Sequence, residues 1–192
     1  MSSSGIITGV GQGIGFETCN YFLNNGYTVY GVSKSSNKNI NYLKSKHPKK
    51  FIFLKIDINN VSKMKKKTKE IFKSDKKVKF LINNAGTRSR FPLKNLRDEE
   101  IQRVFKTNFF SHLKLTQEFL KNTINRKIKN VSIVMLSSIV GNLGFEDLSN
   151  YASSKGAIES FAKSVAVEYS KYNVRVNCVA PGFIKTSYFE KF

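Results

Sequence analysis

Short apolar runs rich in β-branched and aromatic residues alternate with longer amphipathic stretches along this 192-residue chain, and that alternation is its strongest constraint on fold. The strand-like runs are 5–8, 28–33, 51–56, 80–83, 131–136 and 174–179. Strands buried on both faces read as near-continuous apolar runs, whereas a sheet with one wet face would alternate. Helices are predicted over 15–24, 61–74, 98–120 and 149–172, with only a short polar segment containing Pro48 between the second and third strands. Strand–helix alternation implies parallel pairing through right-handed crossovers. The predicted fold class is therefore α/β, a Rossmann-type doubly wound parallel sheet with helices on both faces. No linker and no repeat beyond the two βαβ halves divides residues 1–192, which read as a single domain.

Composition narrows the partners. The 33 basic and 13 acidic residues give a net charge of +20, a field that attracts nucleic acid, anionic membrane or acidic proteins. Yet 27 of the 33 are lysine and only 6 arginine, the residue suited to forked phosphate recognition. The lysines fall on expected helix faces and loops among many Asn, Ile and Phe, a mixture that fits A/T-rich codon use and solvated surfaces. The 63–69 lysine run is one such face. No nucleic-acid partner is expected, although a basic surface could steer an acidic substrate or carrier. No apolar run reaches membrane-spanning length, and Met1–Gly5 shows no basic leader region. Cys19 and Cys178 form no paired or metal-binding spacing, and no metal site is expected. A cytoplasmic protein with no membrane partner is the expectation.

Ligands of doubly wound sheets bind beyond the carboxyl ends of the strands, at the switch point. The motifs of this chain fall there. Thr8-Gly9-Val10-Gly11-Gln12-Gly13-Ile14-Gly15 lies between the first strand and first helix. Glycines let backbone turn tightly and approach a pyrophosphate facing the helix N-terminus. Alone, such a loop is often only a tight turn. Its spacing is TGxxxGxG (Gly9, Gly13, Gly15) rather than GxGxxG, since Ile14 stands where the latter needs glycine. Asn83-Asn84-Ala85-Gly86 ends the fourth strand, Ser138 follows the fifth, Tyr151 and Lys155 are four apart in a helical stretch, and Pro181-Gly182 with Thr186 follows the sixth.

In this order and spacing, from Ile6 to Thr186, the chain resembles the short-chain dehydrogenase/reductase family, most like its 3-oxoacyl-(acyl-carrier-protein) reductases. The resemblance implies an NAD(P)-dependent oxidoreductase acting on a carbonyl or alcohol, with Ser138, Tyr151, Lys155 and Asn108 as catalytic residues. Tyr151 and Lys155 share a helix face, and a nearby ammonium draws a phenol from a pKa near 10 toward a useful acid/base range. Ser138 can hydrogen-bond the developing alkoxide. By the resemblance, Lys155 also holds the nicotinamide ribose and Asn108 anchors a relay water. Ser137 competes with Ser138, which is chosen because it directly precedes Ile139-Val140-Gly141 and lies 13 residues before Tyr151. Without the other motifs, Tyr151 and Lys155 would read as a packed tyrosine beside a solvated lysine.

The cofactor residues implied are Gly9, Gln12, Gly13, Ile14, Gly15, Ser33, Lys34, Asp57, Ile58, Asn84, Ala85, Gly86, Tyr151, Lys155, Pro181, Gly182, Ile184 and Thr186. Ser33-Lys34-Ser35 carries no acid at the end of the second strand, which favours NADP(H) and leaves NAD(H) open. Asp57 matches an adenine contact or else caps a helix. His47 and His112 lie outside every motif and read as structural or solvent-exposed. Arg88 and Arg90 read as ordinary loop residues, with contact to an anionic substrate as the alternative. Tyr172 stands where such reductases often carry a basic carrier-binding residue.

The resemblance breaks near Phe192, where relatives continue through a substrate-covering segment and a last strand. The sequence is expected either to be a truncated record of a longer enzyme or to encode a shortened product, with strand six left as an open apolar edge. The substrate implied is a small-molecule or carrier-bound carbonyl compound, and the full-length assembly a homodimer or homotetramer. The competing reading is a catalytically inactive dinucleotide-binding scaffold.

Overall fold

The computed structural model describes residues 3–186; Met1, Ser2 and residues 187–192, on which the readings of the leader and of the chain end partly rest, lie outside the described residues. Strands β1 (Ser4–Thr8), β2 (Thr28–Ser33), β3 (Phe51–Lys55), β4 (Val78–Asn83), β5 (Val131–Leu136) and β6 (Val174–Val179) form one sheet in the order β3-β2-β1-β4-β5-β6. Every pairing is parallel, with Ile6 opposite Tyr30 on one side and Leu81 on the other. This is the expected doubly wound order, reversing between β1 and β4. The helices are α1 (Gly13–Asn24), α2 (Lys38–Lys46), α3 (Val61–Ser74), α4 (Asp98–Phe105), α5 (Ser111–Asn125) and α6 (Ser149–Tyr169).

Alternate strand residues feed two cores. Ile7 and Val29 pack with Cys19 and Leu23 of α1 and Ile40 and Leu43 of α2. On the other face Ile6, Leu81 and Ile133 pack with Phe72 of α3, Leu115 and Phe119 of α5, and Ile158 of α6. Both faces of the central strands are thereby removed from water, which is why their sequence is apolar without alternation.

Three elements differ from expectation. Helix α2 occupies part of the polar segment between the second and third strands, where no helix is predicted. Only Ile40 and Leu43 are buried among its nine residues, too few for a visible stripe, and Asn37 starts it by accepting from Ile40 N at 3.1 Å. The helix expected over 98–120 runs on to Asn125 and contains a π-helical turn at Lys106–Phe110, where Ser111 N donates to the Lys106 carbonyl five residues back. Hydrophobic spacing does not reveal so local a change of pitch. The last turn expected of α6 tightens to a 3-10 turn, Ser170–Tyr172, followed by Asn173 at φ 61°.

Strand β6 is an edge of the described sheet. Val174 and Val176 face the core, while its opposite face carries Arg175 and Asn177 rather than a wholly apolar surface. The lysine run of α3 is solvated as expected, with Met64 and Thr68 on the inner side. No described helix is long and apolar enough to cross a membrane.

Phe72 is fully buried and meets Phe119 edge-on, ring centres 5.3 Å apart. Phe72→Ala is expected to lower unfolding stability by about 3–5 kcal/mol, and Phe72→Leu by less than half of that, in urea titrations followed by circular dichroism.

Candidate active site

The site opens where β1 and β4 part. The Thr8 hydroxyl at the end of β1 accepts from Asn84 N and Ala85 N, each at 3.0 Å. In return the Asn84 side chain donates to the carbonyls of Thr8 (3.0 Å) and Gly9 (3.2 Å). The glycine loop folds over this knot. Gly9 and Gly13 hold φ of +73° and +52°, and a Cβ on Gly15 would stand 2.2 Å from the Gly9 carbonyl oxygen. No side chain fits there, so the N-terminus of α1 can come against the strand ends and face a phosphate.

A cavity of about 720 Å³ runs from this loop to the start of α6. Every cofactor residue expected from the sequence lines it, as do Ser138, Tyr151 and Lys155. At one end Ser33, Lys34 and Ser35 meet Gly11, whose carbonyl accepts from Asn37 Nδ2 at 2.8 Å and Asn39 Nδ2 at 3.0 Å. No acidic side chain lines the cavity at the end of β2. Asp57 also lines it and accepts from Asn59 N at 2.8 Å; the cap of α3 is Asn60, which removes the capping alternative for Asp57. The backbone cradle and the polar lining fit a nicotinamide dinucleotide.

At the other end Tyr151 and Lys155 lie one turn apart on α6, with Lys155 Nζ 5.7 Å from the Tyr151 ring centre. Lys155 Nζ donates to the Leu136 carbonyl at 2.7 Å, fixing α6 to the end of β5. Burial pushes this ammonium down from the ordinary lysine range to about 8, so it remains charged at neutral pH. The two candidate serines separate clearly. Ser137 is turned to the Lys155 carbonyl (3.2 Å) and the Glu159 carboxylate (2.7 Å). Both line the cavity, but the Ser138 hydroxyl accepts only a 3.3 Å contact from Val140 N among the hydrogen bonds described.

Asn108 is the exception. It is fully buried and does not line the cavity. Its Oδ1 accepts from Thr87 N (2.8 Å), and its Nδ2 donates to the Thr87 carbonyl (2.9 Å) and to Ser154 Oγ (2.9 Å). The side chain is thus a clamp on the loop after β4.

The motifs missed two supporting residues. Thr8 was seen only as part of a glycine loop. His112, read as structural or solvent-exposed, is not exposed but buried behind the loop: Nε2 donates to the Ala85 carbonyl at 2.5 Å, and Nδ1 lies 3.0 Å from Asn83 Oδ1. Burial pushes His112 down to about 4, and this neutral ring holds the Ala85 peptide in place.

The chain belongs to the short-chain dehydrogenase family: the sequence model described as short chain dehydrogenase matches residues 5–192. It is accordingly an oxidoreductase of the CH–OH/C=O type. Its relatives include the 3-oxoacyl-(acyl-carrier-protein) reductase FabG of Buchnera aphidicola subsp. Acyrthosiphon pisum, 32% identical over 188 residues, 96% of this chain and 75% of that protein. The FabG of Chlamydia pneumoniae is 31% identical over 183 residues, covering 94% of this chain and 73% of that protein. Among solved structures, ElxO with NADP bound is similar with a TM-score of 0.92 and 29% identity, over 100% of this chain and 77% of that one. A 4-hydroxyisoleucine dehydrogenase complexed with NADH gives 0.87 and 27%, over 97% and 78%.

Lys155 yields a stability test. Its pKa is about 8 folded against 10.5 when exposed, so between these values the unfolded chain binds more protons and stability rises with pH. The unliganded protein is expected to gain up to about 3 kcal/mol from pH 8 to 10.5 relative to Lys155→Met, measured by urea unfolding of both across that range.

Proposed function

We propose that this protein is an NADP(H)-dependent carbonyl reductase, with Tyr151 as general acid/base and carrier-bound 3-oxoacyl thioesters as its leading substrates. The observation that carries the reading is the convergence of Ser138, Tyr151 and Lys155 at one end of a cavity whose other end is a glycine cradle. Ser33 and Lys34 suit the 2′-phosphate, Asp57 and Ile58 the adenine. The 84–86 backbone, Pro181, Gly182, Ile184 and Thr186 would flank the nicotinamide half. Bound there, the dinucleotide supplies the hydride.

The chain's own residues handle the proton. Ser138 donates a hydrogen bond to the substrate carbonyl oxygen and holds it beside Tyr151. As that oxygen gains charge, the Tyr151 phenol delivers its proton, and the phenolate left behind is stabilised by the Lys155 ammonium. The buried setting strengthens that interaction relative to water. The FabG relatives and the +20 charge, which would draw an acidic carrier, support the carrier-bound substrate. Phe110, exposed at the end of the π-helical turn, and Val167, exposed on α6, support pairing of subunits into a homodimer or homotetramer.

Tyr151→Phe is expected to lower kcat for NADPH-dependent reduction of acetoacetyl thioesters by about two to four orders of magnitude while NADPH still binds. Stopped-flow absorbance and fluorescence titration check the two halves, and equal turnover by wild type and variant would overturn the assignment. Lys34→Glu is expected to weaken NADPH on the order of tenfold or more and NADH far less, read as the ratio of their KM values.

A further inference from the structure

We infer that Glu159 of α6 is a positioning residue for Ser138, holding both ends of the loop that carries Ser138 against the helix that carries Tyr151 and Lys155. This rests on the reductase reading, in which Ser138 meets the substrate carbonyl oxygen, and extends it to a side chain outside the cavity lining.

A single oxygen makes the tie. Glu159 Oε1 accepts from Ser137 Oγ at 2.7 Å and from Asn142 Nδ2 at 2.9 Å. Those two residues flank Ser138 and the 3-10 turn Ile139–Gly141. Gly141 lies so close to α6 that a Cβ would stand 3.1 Å from Gly156 N, which brings Asn142 within reach of Glu159. Tyr151, Lys155 and Glu159 follow one another at intervals of four on α6, so the loop is fastened to the face of the helix that bears the reacting pair.

The direction of the Ser138 hydroxyl depends on that turn. Ser138 caps it with extended backbone, and its hydroxyl accepts from Val140 N at 3.3 Å. The turn closes through Gly141 N to the Ser138 carbonyl (2.9 Å) and Asn142 N to the Ile139 carbonyl (3.0 Å). Strand β6 and the residues after it hold the start of the loop, through Ser137 N to the Val179 carbonyl (2.8 Å) and Ile139 N to the Pro181 carbonyl (3.1 Å). The far end, at Asn142, is exposed and takes its side-chain tie from Glu159.

The use of charge is unusual for this chain. Lys163 lies four residues after Glu159, the spacing at which a helix pairs acid with base, yet no ion pair of Glu159 occurs among the described residues. With 13 acidic residues against 33 basic ones, this carboxylate is directed at two neutral donors of one loop. A charged acceptor makes shorter and stronger hydrogen bonds than a neutral one. Without it the Ser137 hydroxyl still has the Lys155 carbonyl at 3.2 Å, whereas Asn142 loses its anchor and the turn its fixed seat.

Glu159→Ala is expected to lower kcat/KM for NADPH-dependent reduction of acetoacetyl-N-acetylcysteamine about tenfold to a hundredfold, with the KM for NADPH within about twofold of wild type. Glu159→Gln keeps an oxygen for both donors and is expected to regain most of the loss. The decisive cycle uses Ser138→Ala: adding Glu159→Ala to it is expected to lower kcat/KM by less than about twofold more. Amide hydrogen exchange of the unliganded protein is a readout that needs no turnover. Glu159→Ala is expected to speed exchange in residues 139–143 about tenfold and to leave residues 151–162 of α6 unchanged. Asn142→Ala, at an exposed position, cuts the same tie from the loop side and carries both measurements should Glu159→Ala fail to fold. Faster loop exchange with no turnover of any carbonyl by the wild type would sustain the hold of Glu159 on the Ser138 loop and overturn the reductase reading. Turnover with losses that add in the double variant, unchanged exchange in residues 139–143, or Glu159→Gln as impaired as Glu159→Ala would overturn the inference and leave the reductase reading standing.

Discussion

The reciprocal hydrogen bonding between Thr8 and Asn84 is the constraint on which the rest of the site depends. Two parallel strands that part at a switch point would leave their terminal peptide groups facing each other across a gap. Here one hydroxyl takes two backbone N–H groups from the β4 side, and one carboxamide returns hydrogen bonds to two carbonyls on the β1 side. Buried polar groups are satisfied and the gap is set at a fixed width. Gly15 then packs so close to Gly9 and Asn84 that a methyl group would collide with both. The phosphate cradle, the 84–86 backbone and the direction of α1 follow from that fixed separation.

Behind this framework, burial sets the electrostatics with two groups that resolve oppositely at neutral pH. Lys155 and His112 are both shifted downward by burial, to about 8 and about 4. The first remains an ammonium and the second a neutral ring. The cavity is therefore lined by the Lys155 ammonium beside the Tyr151 ring, with an uncharged donor, His112, behind it fixing the Ala85 peptide. A second buried cation at His112 would repel Lys155, and the coulombic influence of Lys155 on that ring already acts to prevent it.

Much of this was legible in the sequence because the relevant signals are local. Strand limits at Thr28–Ser33 and Val131–Leu136 agree with apolar runs bounded by polar residues, and the motifs sit at strand ends where backbone geometry restricts residue choice. The missed features depend on tertiary partners. Helix α2 has only Ile40 and Leu43 to hold it, and among lysines and asparagines two apolar residues carry no periodicity. The Asn108 side chain serves the loop rather than the cavity, because Thr87 and Ser154, 21 and 46 residues away in sequence, take up its amide. His112 carries no motif, since its role comes from a carbonyl on another element.

The π-helical turn at Lys106–Phe110 has an effect on helical phase. A turn with one extra residue rotates everything after it by about 100° relative to an uninterrupted α-helix. Helices α4 and α5 thus share an axis but not a register, and each can present its own buried face. Val104 of α4 and Leu115 and Phe119 of α5 are all buried, while Asn108, within the turn itself, points at the loop carrying Thr87. Loss of a single residue from this turn would let the two halves merge into one regular helix. The amide of Asn108 would then swing away from Thr87, and a change in chain length of one residue would act as a change in aim.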